Sequence, residues 1–214
     1  MEKITVKNNT GNRRENILAG FIGTNRTGKS SLAVTTAEIW SKQNPEDTII
    51  SFDPQNKFRH LSGYNIDIED DDWIDKCKKF HNCLLILDDY RLLVREDRSP
   101  KGLDGLLYNR AFQNMDIIYI CHSPALIHNI FTYLTTHYYI FHTLATDGAF
   151  KKKIPNYHLC VAAANKVNQY VKKCGRGKHP DDPEFDDQGF PYIIINTENQ
   201  ELKGYNMIQQ SKKL

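Results

Sequence analysis

Apolar residues fall in short closed runs along the chain, and a polar residue ends most of them. The runs are Ile17-Leu18 with Phe21-Ile22, Thr48 to Phe52, Cys83 to Leu87, Ile117 to Cys121, Tyr138 to Phe141 and Tyr192 to Ile195. Runs of this length without polar alternation suit strands covered on both faces, as in a parallel sheet. Between them the spacing turns helical. Ser31 to Trp40, Trp73-Ile74-Cys77, Leu103-Leu107-Ala111, Ala125 to Leu134 and Leu159 to Lys173 each place apolar residues on one side, the last through Val161, Ala164, Val167 and Val171. Phe58 and Leu61, three apart, predict a short helix and turn over Gln55 to Tyr64. This alternation predicts an α/β fold, a mostly parallel central sheet flanked by helices.

Residues 1–16 alternate weakly through Ile4 and Val6 and predict an edge strand or arm. Residues 17–214 are expected to form a single domain, with its core at 17–141 and a C-terminal basic helix, acidic loop and last strand over 142–214. A chain of 214 residues is ample for one such unit and short for two.

The polar stretches between the runs carry the chemistry. Gly23 to Ser30, GTNRTGKS, matches the phosphate-binding loop G-x-x-x-x-G-K-[S/T], and it stands where that loop must, between a strand and a helix. Gly23, Thr24, Asn25, Arg26, Thr27, Gly28, Lys29, Ser30 and Ser31 are therefore the expected nucleotide contacts. Backbone N–H groups and the helix dipole hold the anion, Lys29 reaches the outer phosphate oxygens and Ser30 ligates magnesium. Some sixty residues on, CLLIL closes on Asp88-Asp89. Four apolar residues and an acid form the Walker B pattern, in which Asp88 holds magnesium and Asp89 can orient and deprotonate the attacking water. The run IIYIC closes on His122, which is either a reporter of the γ-phosphate or a locally packed strand-end histidine. Ser123 and Pro124 then suit the N-cap and first position of a helix. Arg91, Arg95, Arg98 and Arg110 are surface charges or, alternatively, contacts to nucleic acid or to a neighbour's transferring phosphate.

Charge changes this picture only through its distribution. The net charge is +2, yet residues 151–178 hold eight Lys or Arg and no acid, whereas 181–187 hold five acids. The first block is a solvated helix face or a surface that follows a phosphate backbone. Six acids between Asp67 and Asp75 suit a solvated helix start, with a metal site as the rival reading. Five cysteines without a C-x-x-C pair, no apolar run near a membrane span and no apolar leader predict a soluble protein of a reducing, intracellular compartment.

The order of motifs resembles the FtsK/HerA superfamily of P-loop ATPases, particularly the small genome-packaging ATPases of membrane-containing and large DNA viruses. GTNRTGKSS, SFDPQNKF, LLILDDY and NRAFQNMDIIYICHSP carry the resemblance over about Ile17 to Phe141. It implies a RecA-like additional-strand core that hydrolyses ATP with Mg2+ in a homo-oligomeric ring of six. The ring would drive double-stranded DNA and dock on a capsid or viral membrane vertex protein, in the host cytoplasm or on the virion. It also implies an arginine acting in trans, nearest Arg110. The chain departs from the pattern with Asp89 where many members carry Glu, and with His122 where Gln is usual. Filamentous-phage assembly ATPases of the zonula occludens toxin type, nucleoside or nucleotide kinases and non-hydrolytic nucleotide-gated modules are the alternatives.

Overall fold

The computed structural model describes residues 16–94, 100–155, 157–174 and 189–205. The expected N-terminal arm, Arg95, Arg98 and the acid-rich stretch at 181–187 lie outside them.

Strands β1 (Leu18–Ile22), β2 (Thr48–Phe52), β4 (Cys83–Leu87), β5 (Met115–Cys121) and β6 (His137–Phe141) form where the apolar runs stand, and β1, β4 and β5 are buried along their whole length. A two-residue strand, β3 (Tyr64–Asn65), flanks β2. The sheet order is β3-β2-β4-β5-β1-β6-β7-β8, where β7 is Tyr192–Asn196 and β8 is Leu202–Tyr205. The first six strands in that order are parallel; β7 pairs antiparallel with β6, and β8 antiparallel with β7. The expected α/β architecture is present. β1 therefore sits between β5 and β6, and the loop leaving it opens among the C-terminal ends of its neighbours.

Period-two alternation divides the core. Ala19, Phe21, Ile86 and Ile120 meet Ala33, Ala37 and Trp40 of helix α1 (Lys29–Gln43) on one face. Leu18, Ile22, Leu85 and Ile117 face the other layer. There α2 (Trp73–Cys77), α3 (Leu103–Asn109), α4 (Asn129–Leu134), α5 (Asp147–Lys153) and α6 (Tyr157–Cys174) bury Trp73, Leu106, Phe131, Phe150 and Val167. Apolar burial on both faces drives the assembly, at about 25 cal/mol per Å² removed from water.

Several elements differ from the expectation, each for a local reason. No helix forms between Gln55 and Tyr64: the Asp53 carboxylate accepts the Phe58 N–H at 2.5 Å, and Asn56 adopts a left-handed φ of 57°. The expected helix over Ala125 to Leu134 is broken into a 3-10 turn (Pro124–Leu126) and α4. The Tyr90 hydroxyl occupies the break, donating to the Leu126 carbonyl and accepting from the His128 N–H, both at 2.8 Å. The Ser123 hydroxyl caps that turn by accepting the Ala125 N–H. Helix α5 and strand β8 were not expected. α5 rests on one buried side chain, Phe150, beside three lysines. β8 is mostly exposed and is tied to the sheet by Tyr205, whose ring stacks on Tyr192 at 5.2 Å and 9°.

At the acid-rich start of α2, Asp70 receives the Lys76 ammonium at 2.6 Å and the Tyr64 hydroxyl at 3.3 Å, and it also caps the Asp72 N–H. These acids build a turn and a helix start.

Candidate active site

The C-terminal edge of the parallel strands gathers Gly23, Asp53, Asp88, His122 and His142. In a parallel sheet the crevice for a ligand opens at this edge.

The loop from β1 to α1 is stitched to both flanking strands. The Gly23 N–H donates to the Cys121 carbonyl at 3.2 Å, and the Thr24 N–H to the His142 carbonyl at 2.9 Å. Thr27 Oγ1 donates to the Thr24 carbonyl at 2.8 Å, which closes the loop on itself. Arg26 and Gly28 both take positive φ, 57° and 84°. At Gly28 the backbone needs glycine twice over, because a Cβ would also run into the ring of Phe190, just ahead of β7. Asn25, Arg26 and Ser31 are exposed around the mouth.

Lys29 is buried under this loop, and its ammonium donates to the Thr24 carbonyl at 2.6 Å. Burial pulls its pKa down to about 8, and the nearby Asp88 carboxylate only partly opposes that. A cation held in this way gains from an incoming anion, since phosphate oxygens would return the solvation it has lost.

Ser30 Oγ lies 3.2 and 3.4 Å from the two oxygens of Asp88. These hard oxygen donors, one at the start of α1 and one at the end of β4, fit magnesium. That ion is commonly held by one or two protein oxygens, with water and substrate phosphates completing its octahedron. Among the described residues no group of three or more His, Cys, Asp or Glu could hold a metal by itself.

Asp88 has a further neighbour that the sequence pattern did not reveal. Lys57 Nζ stands 3.4 Å from Asp88 Oδ2. Nothing in the spacing of SFDPQNKF marks this lysine. It is delivered by the turn that Asp53 and Asn56 impose in place of the expected helix.

Asp89 takes φ 50° and ψ 47°, a left-handed conformation uncommon outside glycine and tolerated best by asparagine and aspartate. Such strain is often found where a side chain must be presented to chemistry. Its Oδ1 lies 3.8 Å from His122 Nε2. Burial, then the nearby Lys29 charge, pushes the His122 pKa below its ordinary value, so a neutral imidazole is favoured. His122 Nδ1 is buried and has no hydrogen-bond partner among the described residues.

The structure thus brings together Lys29, Ser30, Asp88, Asp89 and His122. It does not bring Arg110 to them. Arg110 caps the C-terminus of α3 at the opposite edge of the sheet. Its guanidinium donates to the carbonyls of Leu107 at 2.9 Å, Asn16 at 3.3 Å and Leu134 at 3.5 Å. In this subunit it joins the approaches to β1 and β6.

No protein-family model matches the chain, and no curated protein matches it. Solved structures do. The genome-packaging NTPase B204 from Sulfolobus turreted icosahedral virus 2, in complex with ATP-gammaS, is 14% identical, covers 91% of this chain and 98% of that chain, and superposes with a TM-score of 0.66. This chain has the fold of a viral genome-packaging NTPase. The AMP complex of the same protein gives 15% identity and the same TM-score and coverage. B204 from Sulfolobus Turreted Icosahedral Virus, a DNA-packaging ATPase, gives 14% identity, 91% and 98% coverage and a TM-score of 0.58. A likeness over 91% of the chain reaches well beyond the stretch from Ile17 to Phe141 in which the sequence motifs lie.

Proposed function

We propose that the chain is an ATP-hydrolysing motor that translocates double-stranded DNA, acting in the packaging of a viral genome. The observation that carries this reading is the convergence of Lys29, Ser30, Asp88 and Asp89 at one point of the sheet edge, below a loop built to receive phosphate. The shared fold of the B204 packaging NTPases supports it.

In this mechanism the loop amides and Lys29 hold the β- and γ-phosphates, which places the terminal phosphorus in front of Asp89. Ser30 and Asp88 would hold magnesium, which supplies charge neutralisation on the phosphate oxygens. The left-handed backbone at Asp89 presents its carboxylate to a water molecule, with His122 beside it at 3.8 Å, close enough to contact the same water. Asp89 takes a proton from the water as its oxygen bonds to the γ-phosphorus and the bond to the ADP oxygen breaks, giving ADP and phosphate. Positioning and charge stabilisation do most of the work in such a reaction.

The DNA partner is assigned to the lysine-rich helices α5, with Lys151, Lys152 and Lys153, and α6, with Lys166, Lys172 and Lys173. Phosphate neutralisation by such residues gives affinity without sequence preference and a steep dependence on salt. A ring of six subunits in the host cytoplasm, docked on a capsid or membrane vertex protein, completes the reading. No helix among the described residues is long and apolar enough to cross a membrane.

The test is phosphate release with and without double-stranded DNA, run beside an assay with nucleoside and nucleotide acceptors. DNA-stimulated release with no phosphorylated acceptor is the expected result. A phosphorylated acceptor would replace the motor with a kinase.

A further inference from the structure

We propose that Lys57 is an exchangeable second cation of the site. It neutralises Asp88 while the site is free of nucleotide and moves to the terminal phosphate when a nucleoside triphosphate binds, so that it distinguishes triphosphate from diphosphate. This rests on the ATPase reading above and adds a residue to it.

Three observations meet at Lys57. Its ammonium stands 3.4 Å from Asp88 Oδ2, on the carboxylate whose oxygens also face Ser30. That separation exceeds the ~2.7–2.9 Å of a tight charge-assisted hydrogen bond, so the pair is loosely held. Its partner Asp88 directly follows β4 beside the phosphate loop, and the Lys57 charge is also felt at Lys29 and His122. The turn that carries it is anchored on both sides of the lysine. Phe58 is fully buried against the α1 face and gives its N–H to Asp53, and Asn56 reverses the chain with its left-handed φ. The backbone at position 57 is therefore placed, while the four-carbon stem leaves the ammonium free to reach a new partner.

Electrostatics gives the exchange its direction. Asp88 already lies near two ammonium groups, and a divalent ion arriving with a nucleotide would add more positive charge at the same carboxylate. The incoming phosphates bring compensating negative charge, most of it at the terminal group. The cation held least tightly is the one that moves toward it. A diphosphate brings no terminal group within reach, and Lys57 stays on Asp88.

The experiment compares wild type, Lys57→Ala and Lys57→Arg in calorimetric titrations with ADP and with a non-hydrolysable triphosphate analogue, both with magnesium, beside single-turnover hydrolysis. For Lys57→Ala the expected result is wild-type affinity for ADP, an affinity for the triphosphate analogue lowered by about tenfold, and hydrolysis slower by about a hundredfold. Lys57→Arg is expected to recover part of the triphosphate preference. An unchanged ratio of triphosphate to diphosphate affinity in Lys57→Ala overturns the proposal, whether both affinities hold or both fall together. Failure of the wild type to bind either nucleotide would overturn the ATPase reading and this one with it.

Discussion

The two edges of the central sheet collect similar residues and use them in opposite ways. At the N-terminal edge Arg110 gives its donors to three main-chain carbonyls, and Asp116 accepts the Ile17 N–H at 2.8 Å and the Trp40 indole N–H at 3.2 Å. At the C-terminal edge Asp88 faces Ser30 and Lys57, and Asp89 faces His122, side chain against side chain at 3.2 to 3.8 Å. Lys29 also touches a carbonyl, but one that belongs to the phosphate loop, and its depressed pKa shows a charge short of solvation. The difference teaches how to tell a structural charge from a chemical one. A side chain bonded to the main chain leaves only if the main chain moves, and Asp116 is held the same way through the Ile17 N–H, whereas an exposed side-chain partner can be exchanged for a ligand.

The comparison can be broken most severely at Lys29. Lys29→Ala should lower ATP turnover on the order of a thousandfold, by removing the positive charge from the β- and γ-phosphates. Phosphate-release kinetics on protein with wild-type circular dichroism would check it, and near-normal turnover would remove the loop from the mechanism. Next, Asp89→Asn should slow hydrolysis by at least about a hundredfold while nucleotide affinity holds. An equal loss of ATP affinity would show Asp89 to be a binding residue.

At the other edge, Arg110→Met should cost about 1–3 kcal/mol of stability, because it removes the guanidinium's hydrogen bonds to three main-chain carbonyls. Turnover of the folded protein should not change. The opposite pattern, an unchanged melting temperature with collapsed turnover in the assembled ring, would make Arg110 the trans-acting arginine of a neighbour and dissolve the contrast between the edges.

The smallest effect is one of pH. In the unfolded chain Lys29 titrates at its ordinary 10.5, and in the nucleotide-free fold at about 8. Between those values the unfolded chain binds the extra proton. The stability of the nucleotide-free protein should therefore rise with pH across that window, and fall again as pH drops through 8. ATP binding needs the ammonium and should weaken by about tenfold from pH 7 to 9. Thermal melts and ATP titrations of wild type against Lys29→Met would isolate both effects, and parallel curves for the two proteins would assign the dependence to other groups.

What the sequence disclosed follows the same division. β2 and β4 were legible to the residue, because a strand buried on both faces writes itself as a short, largely apolar run closed by an acid, unbroken in β4 and interrupted in β2 only by Ser51. The phosphate loop was legible because its glycines and its lysine act through the backbone next to them. Lys57 was not, since a side-chain acceptor and one left-handed asparagine bring it to Asp88 across thirty-one positions. The break ahead of α4 was hidden for a similar reason, its cause being a hydroxyl from Tyr90. Arg110, at the end of the helix that leads into β5, lies at the N-terminal edge as that connectivity requires, and its three carbonyl partners could not be read from the sequence.

That hydroxyl has a mechanical meaning. Tyr90 immediately follows the two aspartates, and its ring is packed against Tyr119 of β5 and Phe131 of α4, at 5.5 and 5.0 Å between centroids. Through Leu126 and His128 it grips the chain on both sides of the break. The strand that ends in Asp88 and Asp89 and the segment that follows His122 are thereby joined through one side chain, like two wheels sharing one tooth. Tyr90→Phe would keep the ring and remove both hydrogen bonds of that link.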